Sequence, residues 1–248
     1  LESALLVHGS TIPFAQDRNG DGFADIPTGR QLNVTNRYHW HPHEASGWEG
    51  QIGVNLVFDE KMGGQLSFIE DDNTNAWGYA NNNQRIELFG KNGYMFKDKP
   101  NRSLGIIYSL STQKIDASFG NTTYLGKQQS AYFNTIFQDI IGDIRHKYRT
   151  GISFQIDRVN ENLSRNFPPL TGGVDLYSTL RTEAVPGAYF EYTYEPSNLL
   201  TLVSGVRADY NSLFDKVYIT PRLNLRYMPA EHTTLRIGGG RGQRTPLV

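Results

Sequence analysis

Near the start of the chain, Asp17-Arg18-Asn19-Gly20-Asp21-Gly22-Phe23-Ala24-Asp25 places oxygen-bearing side chains at alternate positions around glycine. Calcium takes hard oxygen ligands. This spacing lets Asp17, Asn19 and Asp21 converge where Gly22 permits a tight turn, with the Phe23 carbonyl and Asp25 completing the set directly or through water. A sensor of the EF-hand kind needs a bidentate glutamate at its twelfth position. Thr28 stands there instead, and no helical pattern flanks the loop. Two readings stay open: a structural calcium site that braces an extended loop, or an ion-free loop held by Asx turns.

Three other groups invite chemistry. His39, His41 and His43 alternate in His39-Trp40-His41-Pro42-His43-Glu44, so an extended chain would project their imidazoles to one side, which suits zinc, copper or nickel. Pro42 disturbs that geometry, and polar turn residues are the plainer identity. Arg207, Asp209, Arg222, Arg226, Glu191 and Arg236 could meet an anionic ligand, or they could be the polar lining of a wide, wet interior. Gly238-Gly239-Gly240-Arg241-Gly242 has no Lys-Ser/Thr after it and no strand-to-helix context, which rules out a phosphate loop; small residues there suit a strand bend or a close approach. Neither a Ser-His-Asp order nor paired carboxylates in a cleft stands out, so the chain is expected to be no enzyme.

The elements that must position these residues are strands. In Val217, Ile219, Pro221, Leu223, Leu225 and Tyr227 one face is apolar, and the intervening Tyr218, Thr220, Arg222, Asn224 and Arg226 form the other. The same period of two runs through Leu200–Tyr210, Ala188–Tyr194, Ile152–Ile156, Leu104–Leu110 and Ile52–Phe58, and less regularly through 31–40, 85–96 and 128–140. About ten such strands of roughly 9–14 residues are expected, long against the usual 5–6. The connectors alternate. Short links are expected at 41–48, 97–101, 142–143, 195–198 and 228–232, and longer ones at 61–83, 114–127, 159–180 and 211–216.

A two-sheet sandwich has no reason to make one rim tight and the other long. A transmembrane barrel does, with short turns on one side of the membrane and long loops on the other. Aromatic residues near strand ends (Tyr38, Trp40, Tyr94, Phe96, Tyr192, Tyr194 and Tyr227) fit an interfacial girdle. If 41–48 is a periplasmic turn, residues 9–30 with the acidic loop lie on the cell exterior. The mean hydropathy of −0.49 is compatible with this, because alternating strands average to a polar score. A net charge of −1 and a pI near 6.7 argue against a nucleic-acid partner. The chain has no cysteine, which excludes disulfides and thiolate sites.

Four stretches carry a family resemblance: DRNGDGFADIP at 17–27, GWEGQIGVNLVFDEKMGGQ at 47–65, RTEAVPGAYFEYTYEP at 181–196, and LTLVSGVRADYNSLFDKVYITPRLNLRYMPAEHTTLRIGGGRGQRT at 200–245. The chain resembles TonB-dependent receptors of the bacterial outer membrane, especially their Bacteroidetes-type members. The resemblance implies an all-β fold, a transmembrane antiparallel barrel of 22 strands, of which residues 1–248 supply about ten as part of one barrel domain. A plug domain, a TonB-contacting segment and later strands are expected outside this stretch. It also implies ligand-gated, TonB-energised uptake of a siderophore-iron complex, haem, cobalamin, a metal or a glycan in a Gram-negative cell. The partners implied are the TonB complex, outer-membrane lipid and a small-molecule or glycan ligand. No cofactor is required; the 17–25 loop leaves a structural calcium ion open. Trp77, Tyr79 and Phe167 in the longer links suit glycan or siderophore capture. The alternative is a non-transporting, calcium-stabilised β-rich surface adhesin.

Overall fold

In a membrane-spanning sheet each strand must choose one neighbour residue for water and the next for lipid, and adjacent residues of this chain do so. A computed structural model describes residues 1–41, 47–71, 75–166 and 173–243. They form one antiparallel sheet of eleven strands whose spatial order is the sequence order. The strands are β1 (Glu2–Ile12), β2 (Thr28–Trp40), β3 (Gly47–Gly64), β4 (Gly78–Met95), β5 (Ser103–Phe119), β6 (Thr122–Ile141), β7 (Asp143–Asn166), β8 (Val174–Ser197), β9 (Leu200–Asn211), β10 (Lys216–Ala230) and β11 (Thr233–Gly240). A single helical turn, α1 (Leu66–Glu70), follows β3.

The register explains why this sheet needs a membrane. Leu5, Asn36, Val54, Leu88, Leu110, Ala131, Ile156 and Ala184 lie opposite one another in succession across β1 to β8, and only Asn36 is polar. One residue away along β2 to β8 runs a second row: Thr35, Asn55, Glu87, Ser111, Ser130, Asp157 and Glu183. Every member of that row is polar. The same phase continues to the last strand, where Val206, Pro221, Leu223 and Ile237 share the apolar face while Arg207, Arg222 and Arg236 share the polar one. Among the described residues Ala117 is the one buried hydrophobic. A soluble domain of this size would bury a core; here Leu110, Leu223 and Ile237 are 51 %, 52 % and 70 % exposed. Their natural cover is the hydrocarbon of a bilayer, while backbone hydrogen bonds to both neighbours satisfy the ladder groups of β2 to β10.

The outer face near the 97–101 and 142 turns carries the expected aromatic girdle. Trp48 and Tyr94 pack with ring centroids 5.3 Å apart, Tyr94 and Phe96 at 5.0 Å, and Phe137 and Tyr148 at 6.1 Å.

Several expectations are corrected. The strands number eleven, in keeping with the expected ten or so, with Glu2–Ile12 recruited as β1 by pairing with β2; their lengths, 8 to 24 residues, range more widely than the expected span of roughly 9–14. The link between β1 and β2 is therefore 13–27, where 9–30 was expected. The longer link near 114–127 is a β-hairpin: β5 and β6 stay paired to Phe119 and Thr122, with Gly120 in the left-handed region at φ 54° making the turn. The 159–180 link likewise keeps β7 and β8 paired from His146–Tyr194 out to Asn166–Val174, with 167–172 and so Phe167 outside the described residues. Polar strands past the membrane pair as readily as apolar ones, since backbone bonds hold the ladder and both faces meet water.

Spanning the bilayer takes about 9–11 residues per tilted strand. The 24 residues of β7 and of β8 therefore extend well beyond it, on the side opposite the tight turns. An arginine at Leu110, on the apolar row, should destabilise the membrane-embedded protein by about 2–4 kcal/mol, and one at the neighbouring Ser111 by less than about 1 kcal/mol. Urea unfolding in lipid vesicles checks this; equal costs at the two sites would refute the assignment of faces.

Candidate functional site

The polar face holds charges in linked groups that span strands. Asp209 takes a two-pronged contact from Arg207, two residues back on β9, with Nε and Nη2 each 2.7 Å from a carboxylate oxygen. Arg207 Nη2 also donates to Ser153 Oγ on β7 at 2.7 Å, and its guanidinium lies 6.0 Å above the Tyr189 ring. Gly187 on β8 is opposite Asp209, and a Cβ at Gly187 would collide with the Asp209 carboxylate. The glycine is what lets this cluster close.

Glu191 on β8 joins the next group. Its side chain is 12 % exposed and receives Arg149 from β7 at 3.4 Å and Arg222 from β10. Arg149 Nε donates to Gln138 at 2.8 Å, which extends the chain of contacts to β6. Lys147 and Glu195 pair at 2.6 Å nearer the tight-turn end. Together these contacts tie β6 through β10 across the inside of the sheet, each charge being met by its opposite.

Arg226 and Arg236 differ. They sit directly opposite one another on β10 and β11, and among the described residues neither forms an ion pair. Two like charges at a directly opposed position repel, so this spot favours an incoming anion. Of the four ligand candidates, Arg207 and Asp209 are joined, Arg222 goes to Glu191, and Arg226 is left facing Arg236.

The acidic loop is held by bonds from its side chains to its own backbone. Asp17 accepts backbone N–H groups from Gly20 at 2.7 Å, Gly22 at 2.8 Å and Asp21 at 3.3 Å. Asn19 accepts from Asp21 N–H, and Asp21 from Phe23 N–H at 2.8 Å. Asp25 accepts from Arg18 N–H at 2.9 Å. Gly20 and Gly22 supply left-handed turns at φ 73° and 83°. The carboxylates of Asp17, Asp21 and Asp25 are thus turned towards their own backbone, the Asx-turn arrangement. The loop is also docked. Ala24 N–H donates to the Gly64 carbonyl and Leu66 N–H to the Gly22 carbonyl, both at 2.9 Å, while Phe23 bridges to Gln65 and lies 6.5 Å from Trp77. It braces the β3–β4 link. The Gly22 N–H bond above all holds the Asp17 carboxyl below the usual aspartate range; burial opposes it, and the weaker bonds from Gly20 and Asp21 add to the lowering.

The histidine run is half described: His43 lies outside the described residues, and Tyr79 falls on β4 beside Phe119 instead of in a loop. His39 and His41 come together with Glu2, a residue that sequence reading missed because β1 had to be paired with β2 to bring it there. Ser153 and Gln138 were missed for the same reason, as their roles depend on strand register.

A family model described as "TonB dependent receptor-like, beta-barrel" matches residues 6–248. Among solved structures, the alcaligin outer membrane receptor FauA of Bordetella pertussis is similar, with a TM-score of 0.61 at 11 % identity over 96 % of this chain and 41 % of that one. The ferric citrate transporter FecA in its unliganded form gives a TM-score of 0.53 at 12 % identity over 96 % and 40 %. At these identities the likeness is one of fold. The chain spans about two-fifths of the length of these two structures. No curated protein matches it by sequence.

Two outcomes follow from the geometry. Glu191→Gln should cost about 1 kcal/mol at low salt and markedly less at high salt, since both arginine partners are more than half exposed; urea titration at two ionic strengths measures it. The lowered Asp17 carboxyl stabilises the loop at neutral pH, and that contribution is lost as the pH falls through its folded value, below the ordinary 3.8. Protease resistance of residues 13–27 should therefore persist to below pH 4, and Asp17→Ala should abolish it at every pH.

Proposed function

The chain belongs to the TonB-dependent receptor-like β-barrel family, and on that premise we propose that it forms part of the wall of a receptor for energised uptake of a scarce nutrient. Barrels of this family lie in the outer membrane of Gram-negative bacteria, and the chain is an outer-membrane strand sheet. The observation that carries the proposal is the segregation of faces across the membrane-crossing parts of β2 to β11. Lipid is met by one row of side chains and a charged, wet interior by the next.

Each part then has a task. The apolar row and the girdle seat the wall in the bilayer. The linked charges of Arg149, Glu191, Arg222, Arg207 and Asp209 stiffen the inner surface without presenting a large net charge to a passing solute. Arg226 and Arg236 offer the unmatched positive charge that suits an anionic nutrient or an acidic face of a plug. The long hairpins and the braced loop present the exterior surface on which a siderophore-iron complex, haem, cobalamin, a metal complex or a glycan is first caught. In the whole protein a plug closes the lumen, and a segment before it receives energy from TonB. The calcium reading survives as part of this proposal only in the form of support: an exterior ion would reinforce a loop that already holds itself.

Deleting the gene should abolish growth on one such compound as the sole source of its element or carbon. Uptake of that labelled compound should stop when TonB is disabled. Uptake in the deletion strain equal to wild type for all five classes would overturn the proposal.

A further inference from the structure

Glu2, His39 and His41 lie at the tight-turn end of the polar face, away from the linked charges of β6 to β10. Glu2 and His39 are opposite one another in the β1–β2 register, and His41 follows His39 by two residues and returns to the same face. One ligand atom from each lies within 4.8 Å of the other two. The imidazoles of His39 and His41 stand edge to face with centroids 4.0 Å apart, and His39 Nδ1 is 4.0 Å from Glu2 Oε2. Four ångströms is too long for a hydrogen bond, and among the described residues neither ring makes one. Two imidazoles and a carboxylate thus converge without bonding one another.

We propose that Glu2, His39 and His41 form a binding site for a late first-row divalent ion, of which zinc is the representative. The donor set decides the class: borderline imidazole nitrogens with one carboxylate oxygen bind zinc, copper or nickel in preference to calcium or magnesium, which want oxygens alone. Metal–ligand bonds of about 2.0–2.2 Å need the three donor atoms to draw together by about 1 Å, within the reach of side-chain torsions on an exposed carboxylate and a terminal histidine. Three protein ligands leave a fourth position to water. The ion would be resident and not the transported cargo. It would pin the start of β1 to the end of β2, a pairing otherwise held by strand bonds alone, so the site goes beyond the uptake reading and stands whether or not that reading holds.

The test uses the full-length receptor, purified in detergent after treatment with chelator and titrated with Zn2+ and, for its visible spectrum, Co2+. One equivalent per chain should bind, with the intense cobalt bands of four-coordinate nitrogen and oxygen ligation. His39→Ala and His41→Ala should each weaken binding at least about tenfold and remove those bands; Glu2→Gln should weaken it by a similar factor. His8→Ala, on the same face about 20 Å along β1, should leave both readouts unchanged. All four variants keep the apolar row intact, and heat-modifiable migration in gels verifies that each is folded. Absence of saturable binding in the wild type, or binding that survives both histidine substitutions, would overturn the proposal.

Discussion

Hydrocarbon offers no partner to a peptide N–H or C=O. A segment that crosses a membrane as strands must therefore find all of its backbone hydrogen bonds in neighbouring strands. From this one constraint the rest of the molecule follows. Each strand pairs with the strand before and after it in sequence, because a hairpin is the shortest way to supply an antiparallel partner. Once the backbone is satisfied, the pleat presents residues alternately to lipid and to water, and the side chains need only agree with that alternation. They agree from β2 onward, and the register shifts fall at the tight-turn ends of the strands, since a one-residue slip within the membrane would put a row such as Glu87, Ser111 and Asp157 into lipid.

With no buried core, the inner face has to contribute order of its own. Its charges do so by mutual neutralisation over neighbouring strands. Glu191 is shared by two arginines from different strands, and Arg207 is gripped from one side by Asp209 and from another by Ser153. Each pair alone contributes little in contact with water. Linked together they fix the relative height of β6 to β10 and hold long cationic side chains against the polar face of the sheet. The braced exterior loop follows the same rule. Its carboxylates are consumed by its own backbone, and its outer residues are spent on the neighbouring link.

Fold was legible in the sequence wherever the strands cross lipid, because there both faces are constrained. The alternation of Val217 to Tyr227 or of Leu104 to Leu110 places each residue on the face that the register confirms. It was illegible where both faces meet water. Residues 122–127, Thr-Thr-Tyr-Leu-Gly-Lys, have no period of two, and pair with 114–119 all the same because ladder bonds do not depend on side-chain polarity. β1 was missed because its run Leu5-Leu6-Val7 has no period of two. Of the candidate site, the polar face was visible as a set of charges, but partners were not: that Glu191 serves Arg222, or that Glu2 meets His39, depends on register between residues about 30 to 40 apart. The loop at 17–25 shows the opposite limit, since the spacing that suits a cation also suits a chain of Asx turns.

The paired stalk of β7 and β8 has a mechanical meaning. Free loops of the same length would behave as entropic tethers, whose ends move independently of what is bound at the far tip. Two strands bonded from His146–Tyr194 to Asn166–Val174 form a bending-resistant beam, so a sideways load at its free end is delivered as torque to the staves β6 and β9 on either flank. A load at the far end of this hairpin is in this way carried down into the membrane-crossing part of the sheet.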